Sequence, residues 1–342
     1  MFAKRFSLAI VFLVAFIFGV ALSSNVWAKK GDEIELTLST YLPPSYEDLV
    51  YPMQKFVERV NEKGKGIVQI DFYHSGTLLG ANQSISGLRR GVADIIAMTS
   101  SYWTGSIPIY NGYSLPFLWE DHYEMQRKLS MGTPLRKLVD KQMQKLGFHL
   151  LAEGAIPLEH LWMGKGEDPI RQPEDVQGKK IRVSGKAQSR TIQALGGSPV
   201  RMPSGEVHEA ISRGTVDGAQ FYMGTVGGRA LYDILGSCLK VTMGGYTEPM
   251  IMMQSTWEDL PEDAKKILVE EAKWYEDFYA EWAAKVHNEQ YWPKFKEAGG
   301  KIITLTPDQT EKFRQAVQPV YDWFTEESNP EVGEKFLELV QE

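Results

Sequence analysis

Residues 173–222 read PEDVQGKKIRVSGKAQSRTIQALGGSPVRMPSGEVHEAISRGTVDGAQFY. A Pro173-Glu174-Asp175 turn opens a short helical piece that Gly178 ends. Lys179 to Val183 alternates like a strand and carries Arg182. The spacing then predicts a helix from about Lys186 to Leu195, stopped by Gly196-Gly197, and a short extended piece ending at Met202. Ser204-Gly205-Glu206 begins an acidic helix that stops at Gly214, and Val216-Asp217-Gly218 enters another strand. This is a βαβ unit with Arg182 near a strand end, where open α/β sheets accept ligands.

The same rhythm runs through the first half of the chain. Ile34 to Ser39 alternates with period two, Glu47 to Glu62 has helical apolar spacing, and Ile67 to Tyr73 alternates again. Ser75 to Gly80 leads through a helix to Arg90-Gly91, and Val92 to Met98 enters a third strand. Arg90-Gly91-Val92-Ala93-Asp94 echoes Arg213-Gly214-Thr215-Val216-Asp217, each a helix closed by a left-handed glycine cap before a strand. The echo favours two related lobes. Phe148 to Pro157 and the Met243 to Gln254 region read as strands crossing between them. A helix starting near Leu260-Pro261-Glu262 and running to about Glu297 is long enough to brace both.

The N-terminus has the form of an export signal. Lys4 and Arg5 precede an apolar run from Leu8 to Leu22, and Val26-Trp27-Ala28 gives an A-x-A-like cleavage site before Lys29. The apolar run is short for a membrane span. One cysteine, Cys238, excludes an intramolecular disulfide. A net charge of −7 with interspersed signs, and no basic stripe, argues against nucleic acid.

Enzyme signatures are missing. There is no Gly-x-Ser-x-Gly elbow and no His-Glu-x-x-His. The histidines at 74, 122, 149, 160, 208 and 287 lack paired metal spacing, so no metal and no cofactor is expected. The glycines from Gly224 to Gly228 fit neither the phosphate loop nor the dinucleotide fingerprint.

An arginine flanked by apolar residues on a strand can present a planar fork of donors suited to a carboxylate. Spacing alone also allows an ordinary ion pair at Arg182. The order and residues of this segment resemble the solute receptors of tripartite ATP-independent periplasmic (TRAP) transporters, the dicarboxylate-type DctP family. The resemblance rests on Gly178-Lys179-Lys180-Ile181-Arg182-Val183, on Gly76 to Gly80, on Leu115-Pro116-Phe117-Leu118, and on Glu206 opening the helix to Arg213. It covers most of the chain after the signal and implies that Arg182 clamps a ligand carboxylate. It further implies an α/β periplasmic-binding-protein-like fold of two lobes, with central sheets flanked by helices and joined by crossing strands and a long C-terminal helix. The implied partners are a small organic acid and the small and large integral-membrane subunits of a TRAP transporter. The receptor itself would be a periplasmic monomer.

Departures from the family pattern shape the expected ligand. Phe221 stands where relatives carry a ligand-contacting asparagine, and Ser204-Gly205 where they often carry a bulky aromatic. The strand Leu158 to Met163 lacks the second arginine common in relatives. One arginine balances one carboxylate, since an unpaired buried charge is costly. Phe221, Trp162 and Tyr222 are placed to sandwich a ring, Ser204 to leave room beside it, and Glu159 to meet an α-ammonium. Tyr41, Ser100 and Tyr102 are further candidate contacts, on loops at strand carboxyl ends. The expected ligand is an aromatic 2-oxo or 2-amino monocarboxylate. A C4-dicarboxylate or sugar-acid receptor, or a sensor subunit for a signalling receptor, is the alternative. Residues 29–156 with about 248–286 are expected to form the first lobe, and 157–247 with about 287–342 the second.

Overall fold

The structure is a computed structural model that describes residues 33–342. The export-signal reading of residues 1–28 therefore lies outside the described residues. Eleven strands are found among them: β1 (Ile34–Thr40), β2 (Val68–Tyr73), β3 (Ile95–Ala97), β4 (Phe148–Ala155), β5 (Glu159–Gly164), β6 (Lys180–Val183), β7 (Ser198–Arg201), β8 (Gly218–Tyr222), β9 (Leu235–Leu239), β10 (Thr247–Met253) and β11 (Lys301–Ile303). They make a five-stranded sheet in the order β2-β1-β3-β10-β4 and a six-stranded sheet in the order β11-β9-β5-β8-β6-β7.

Each sheet is mixed. In the first, β1 runs parallel to β2 and β3, while β10 runs antiparallel to β3 and β4. In the second, β6 runs parallel to β7 and β8, while β5 runs antiparallel to β8 and β9. The chain passes between the lobes where the sequence suggested, from β4 to β5 through Ile156-Pro157-Leu158 and from β9 back to β10. Helices cover the sheets because their apolar stripes need a partner. The helix Glu47–Lys63, for example, buries Leu49, Met53, Phe56 and Val60.

The sequence echo has a structural meaning. Gly91 and Gly214 adopt φ of 71° and 65°, the left-handed conformation that closes a helix without a Cβ penalty. The aspartate that follows each one ties down the neighbouring parallel strand. Asp94 Oδ2 accepts from Thr37 N at 2.8 Å, and Asp217 Oδ2 accepts from Lys180 N at 2.7 Å.

The long helix Glu262–Val286 continues through a π turn at His287–Tyr291 into Trp292–Glu297. It presses on β4, where a Cβ on Gly154 would lie 2.5 Å from the Tyr279 ring. Buried Arg136 donates from Nη1 to Glu276 Oε1 at 2.6 Å, fastening the helix Pro134–Lys145 to it. The π turn turns His287 toward the first lobe, where its Nε2 lies 2.9 Å from Asp48 Oδ2. Such turns frequently occur at functional sites. The last helix, Pro330–Gln341, packs Phe336 against Tyr113 of the first lobe at 5.9 Å between ring centroids, so the C-terminal region does not cover the second lobe alone.

The strands beside the crossings carry buried carboxyls. Burial pushes Glu153 up to about 7, and Glu159 and Glu248 up to about 8. A carboxyl raised in the folded state contributes stability that is complete below the ordinary carboxylate range and is lost as pH rises through the raised value. The melting temperature should therefore fall from about pH 4.5 to about pH 8, and the fall should be shallower in Glu248→Gln. Glu276→Ala should cost about 3 kcal/mol in urea unfolding, because it leaves buried Arg136 with only the partly exposed Asp140 as a charge partner.

Candidate ligand-binding site

The carboxyl ends of β1, β3, β6, β7 and β8 meet between the lobes, and the residues just beyond them enclose a cavity. Its walls include Tyr41, Tyr46, Tyr102, Tyr222 and Tyr246, together with Thr99, Arg182, Ser184 and Ser204. It is narrow, with about 260 Å³ of space between its atoms when its opening to solvent is included. The lobes are drawn together over it, with Ser101 Oγ 2.8 Å from Ser184 Oγ.

Arg182 is 2 % exposed and sits at the base of this cavity. Its Nε and Nη2 donate to Met202 O at 3.1 and 2.8 Å, which fixes the plane of the guanidinium. Nη2 also donates to Tyr102 Oη at 3.2 Å, and Ser204 N donates to the same oxygen at 2.8 Å. The Tyr102 hydroxyl proton is therefore left for a third partner. Nη1 donates to nothing among the described residues, and no carboxylate there lies within ion-pair distance of Arg182. A rigidly held fork with one arm uncommitted suits a carboxylate oxygen.

Tyrosine rings form the rest of the walls. Tyr41 and Tyr102 meet edge to face at 5.6 Å, and Tyr222 and Tyr246 do so at 5.5 Å. Tyr41 Oη lies 3.1 Å from Thr99 Oγ1, which donates onward to buried Glu248 Oε2 at 2.8 Å. The hydroxyls of Tyr46 and Tyr222 are buried without a protein partner.

Of the predicted contacts, Arg182, Ser204, Tyr222, Tyr41 and Tyr102 line the cavity, and four others do not. Phe221 faces away from Tyr222 because successive side chains on β8 alternate. It stacks on Trp162 at 5.4 Å, and Trp162 stacks in turn on Trp292 at 5.7 Å. Both are core residues of the second lobe, and the expected ring sandwich by Phe221 and Trp162 is corrected accordingly. Antiparallel pairing of β5 with β8 sets Glu159 opposite Tyr222 and Trp162 opposite Ala219, so the same alternation separates Glu159 from Trp162. Glu159 is fully buried, accepts from Gln188 Nε2 and, at 3.1 Å, from Gln220 Nε2, and does not line the cavity where an α-ammonium would lie. Ser100 turns its Oγ to Thr247 N at 3.0 Å and anchors β10, while its neighbour Thr99 reaches the cavity.

Arg229 was not among the candidates. It stands behind the wall, donating from Nε and Nη2 to Ser204 Oγ at 3.3 and 3.1 Å. The space expected beside Ser204 is thus filled from behind by a guanidinium that does not itself line the cavity. The glycines before it were the available signal. A Cβ on Gly228 would lie 2.4 Å from the Tyr46 ring, and one on Gly224 would lie 2.1 Å from Asp48 Oδ2. These glycines permit the close approach of the second lobe to the first.

Comparison with known proteins agrees with this fold. Residues 41–328 match the family model described as bacterial extracellular solute-binding protein, family 7 (DctP). A solute-binding protein of Albidiferax ferrireducens is 24% identical over 300 residues, covering 85% of each chain. The C4-dicarboxylate-binding periplasmic protein DctP of Shewanella loihica is 24% identical, covering 79% of each. A Bordetella pertussis extracytoplasmic solute receptor binding pyroglutamic acid superposes with a TM-score of 0.81 at 17% identity, over 90% of this chain and 99% of that one. A TRAP periplasmic solute-binding protein of Chromohalobacter salexigens with bound D-glucuronate gives 0.80 at 23% identity, over 90% and 99%. With two mixed α/β lobes closed over an arginine-based cavity and a family match across most of its length, the chain belongs to family 7 of the bacterial extracellular solute-binding proteins, the DctP-type receptors of TRAP transport.

Proposed function

We propose that this protein is exported to the periplasm, captures an organic acid between its lobes, and delivers it to the membrane subunits of a TRAP transporter. The observation that carries the reading is the Arg182 guanidinium, buried at the interlobe cavity with Nη1 uncommitted and no carboxylate partner among the described residues. A ligand carboxylate would accept from Nη1 and from the Tyr102 hydroxyl. Both groups are already held in place, so little ordering remains to be done on binding.

The body of the ligand would lie against tyrosine. Five tyrosines line the cavity, and their faces suit a compact, flat acid. This keeps the aromatic acid as the preferred class but moves its support from Phe221 and Trp162 to Tyr41, Tyr102, Tyr222 and Tyr246. A 2-oxo or 2-hydroxy acid fits better than a 2-amino acid, because Glu159 is engaged by Gln188 and Gln220. A C4-dicarboxylate or sugar acid is the second reading, favoured by the second arginine behind Ser204.

Capture would proceed by hinge closure. In the closed form Ser101 Oγ lies 2.8 Å from Ser184 Oγ, and Ser45 Oγ donates to Gly228 O at 2.9 Å. Gly228→Val should hold the lobes apart, so X-ray scattering should show a larger radius of gyration and no compaction on adding ligand. In a thermal-shift screen of organic acids, binders should raise the melting temperature by mass action. Arg182→Ala should weaken them by about 10- to 100-fold, the loss of one charge-assisted hydrogen bond from Nη1 to the ligand carboxylate. An unchanged affinity in that variant would remove Arg182 as the clamp.

A further inference from the structure

A second cavity lies at the crossings and shares no lining residue with the one around Arg182. His160 stands in its wall, and the pairing of His160 with Phe221 across β5 and β8 points it to the face turned away from Tyr222. Two rings stand between the cavities. Tyr222 lines the first and stacks, at 5.5 Å between centroids, on His287, which lines the second. At about 350 Å³ the second cavity has the size of a small-molecule site.

Both lobes and both crossings contribute walls. Glu120 and Asp121 come from the first lobe, just ahead of the helix His122–Leu129. Leu158 and Thr242 come from the two crossings, and Lys240 directly follows β9 of the second lobe. The Lys240 ammonium lies 4.9 Å from the centroid of the Trp292 ring, on the continuation of the long helix. Asp121 caps its own helix by accepting from Glu124 N at 2.7 Å with Oδ1 alone. Opposite charges from opposite lobes thus line one cavity, and among the described residues none of the three is in an ion pair.

Two histidines add acceptors to the same walls. His122 Nε2 lies 3.3 Å from Ala280 O, and His160 Nδ1 lies 3.0 Å from Val241 O. A carbonyl oxygen only accepts, so the ring proton sits on those two nitrogens. Burial holds both histidines at about 4, well below the ordinary value, which leaves a lone pair on the second nitrogen of each at neutral pH. Among the described residues these side chains do not converge as ligands for a metal. The walls instead offer carboxylates to an ammonium, an ammonium to a carboxylate, and Leu158, Met223 and Trp292 to an apolar body.

We propose that this cavity at the crossings is a second small-molecule site and that it takes a free α-amino acid with an apolar side chain. The α-ammonium meets Glu120 and Asp121, the carboxylate meets Lys240, and the side chain packs on Leu158 and Trp292. A plain carboxylate would face two like charges there and a plain amine would face Lys240, so the site selects a molecule that carries both signs. Because the two charges belong to different lobes, the occupant ties the lobes together behind the interlobe cavity. The assignment does not depend on the reading of Arg182.

The test is calorimetric titration of the processed protein with L-valine, L-leucine and L-methionine, with L-leucinamide and 4-methylpentanoate as analogues that carry one charge each. Wild type should bind at least one of the amino acids at least tenfold more tightly than either analogue. Lys240→Gln and Glu120→Gln, both at exposed positions, should each weaken that binding about fivefold, and the double variant should lose the preference over the analogues. Arg182→Ala, or Arg182→Gln where the alanine variant does not fold, should bind the amino acid as wild type does. Circular dichroism melts establish that each variant is folded. Wild type that prefers none of the amino acids, or a double variant that binds them unchanged, overturns the proposal. Loss of the binding in a folded Arg182 variant, whatever the other variants do, assigns the amino acid to the interlobe cavity and overturns it as well.

Discussion

One phenol oxygen, that of Tyr102, joins the two lobes at the point where the ligand would be held. It comes from a loop at the end of β3 and accepts N–H bonds from Arg182 and from the backbone of Ser204, which belong to the other sheet. An oxygen with two lone pairs so used can act only as a donor toward the cavity. The polarity of the site therefore depends on closure. With the lobes apart, Tyr102 and Arg182 would each turn to water, and the aligned pair of donors would not exist.

Closure in turn depends on how closely two backbones can approach. Gly224 and Gly228 lie against Asp48, Tyr222 and Tyr46, where a methyl group would collide. The π turn at His287–Tyr291 lets one long helix present His287 to Asp48 and Tyr291 to Ser45 O, at 2.9 and 3.3 Å. Apart from the His287–Asp48 pair, the contacts named at the seam are made by hydroxyls and backbone carbonyls. Strong ion pairs there would hold the lobes shut without a ligand, whereas hydroxyls and backbone carbonyls contribute about 1 kcal/mol each and can be exchanged for water.

The carboxyls near the crossing strands follow the same logic. Glu159 and Glu248 are buried without a cation, and burial keeps them largely protonated at neutral pH. In that state they add no negative charge beside Arg182, so the cavity keeps its preference for an anion. The pattern separates two kinds of arginine in one molecule. Arg136 is balanced by Glu276 and Asp140 and braces the fold, whereas Arg182 lines the cavity and forms no ion pair among the described residues.

Much of this was legible in the chain itself. Period-two and helical spacing fixed the two α/β lobes, and the repeated Arg-Gly-x-x-Asp fixed where each helix hands over to a strand, because these are local properties of backbone and side-chain pattern. Arg182 was legible too, since a charged residue within a short apolar strand needs a reason to be there. Tertiary structure alone decided which faces of β5 and β8 meet the cavity. Reading Phe221 and Trp162 as ligand contacts failed because the register that sends Tyr222 inward sends them into the core. Arg229 was invisible for a different reason. It lies more than 180 positions from Tyr46, which it approaches, and a cavity between two lobes is made of residues whose proximity no local pattern encodes.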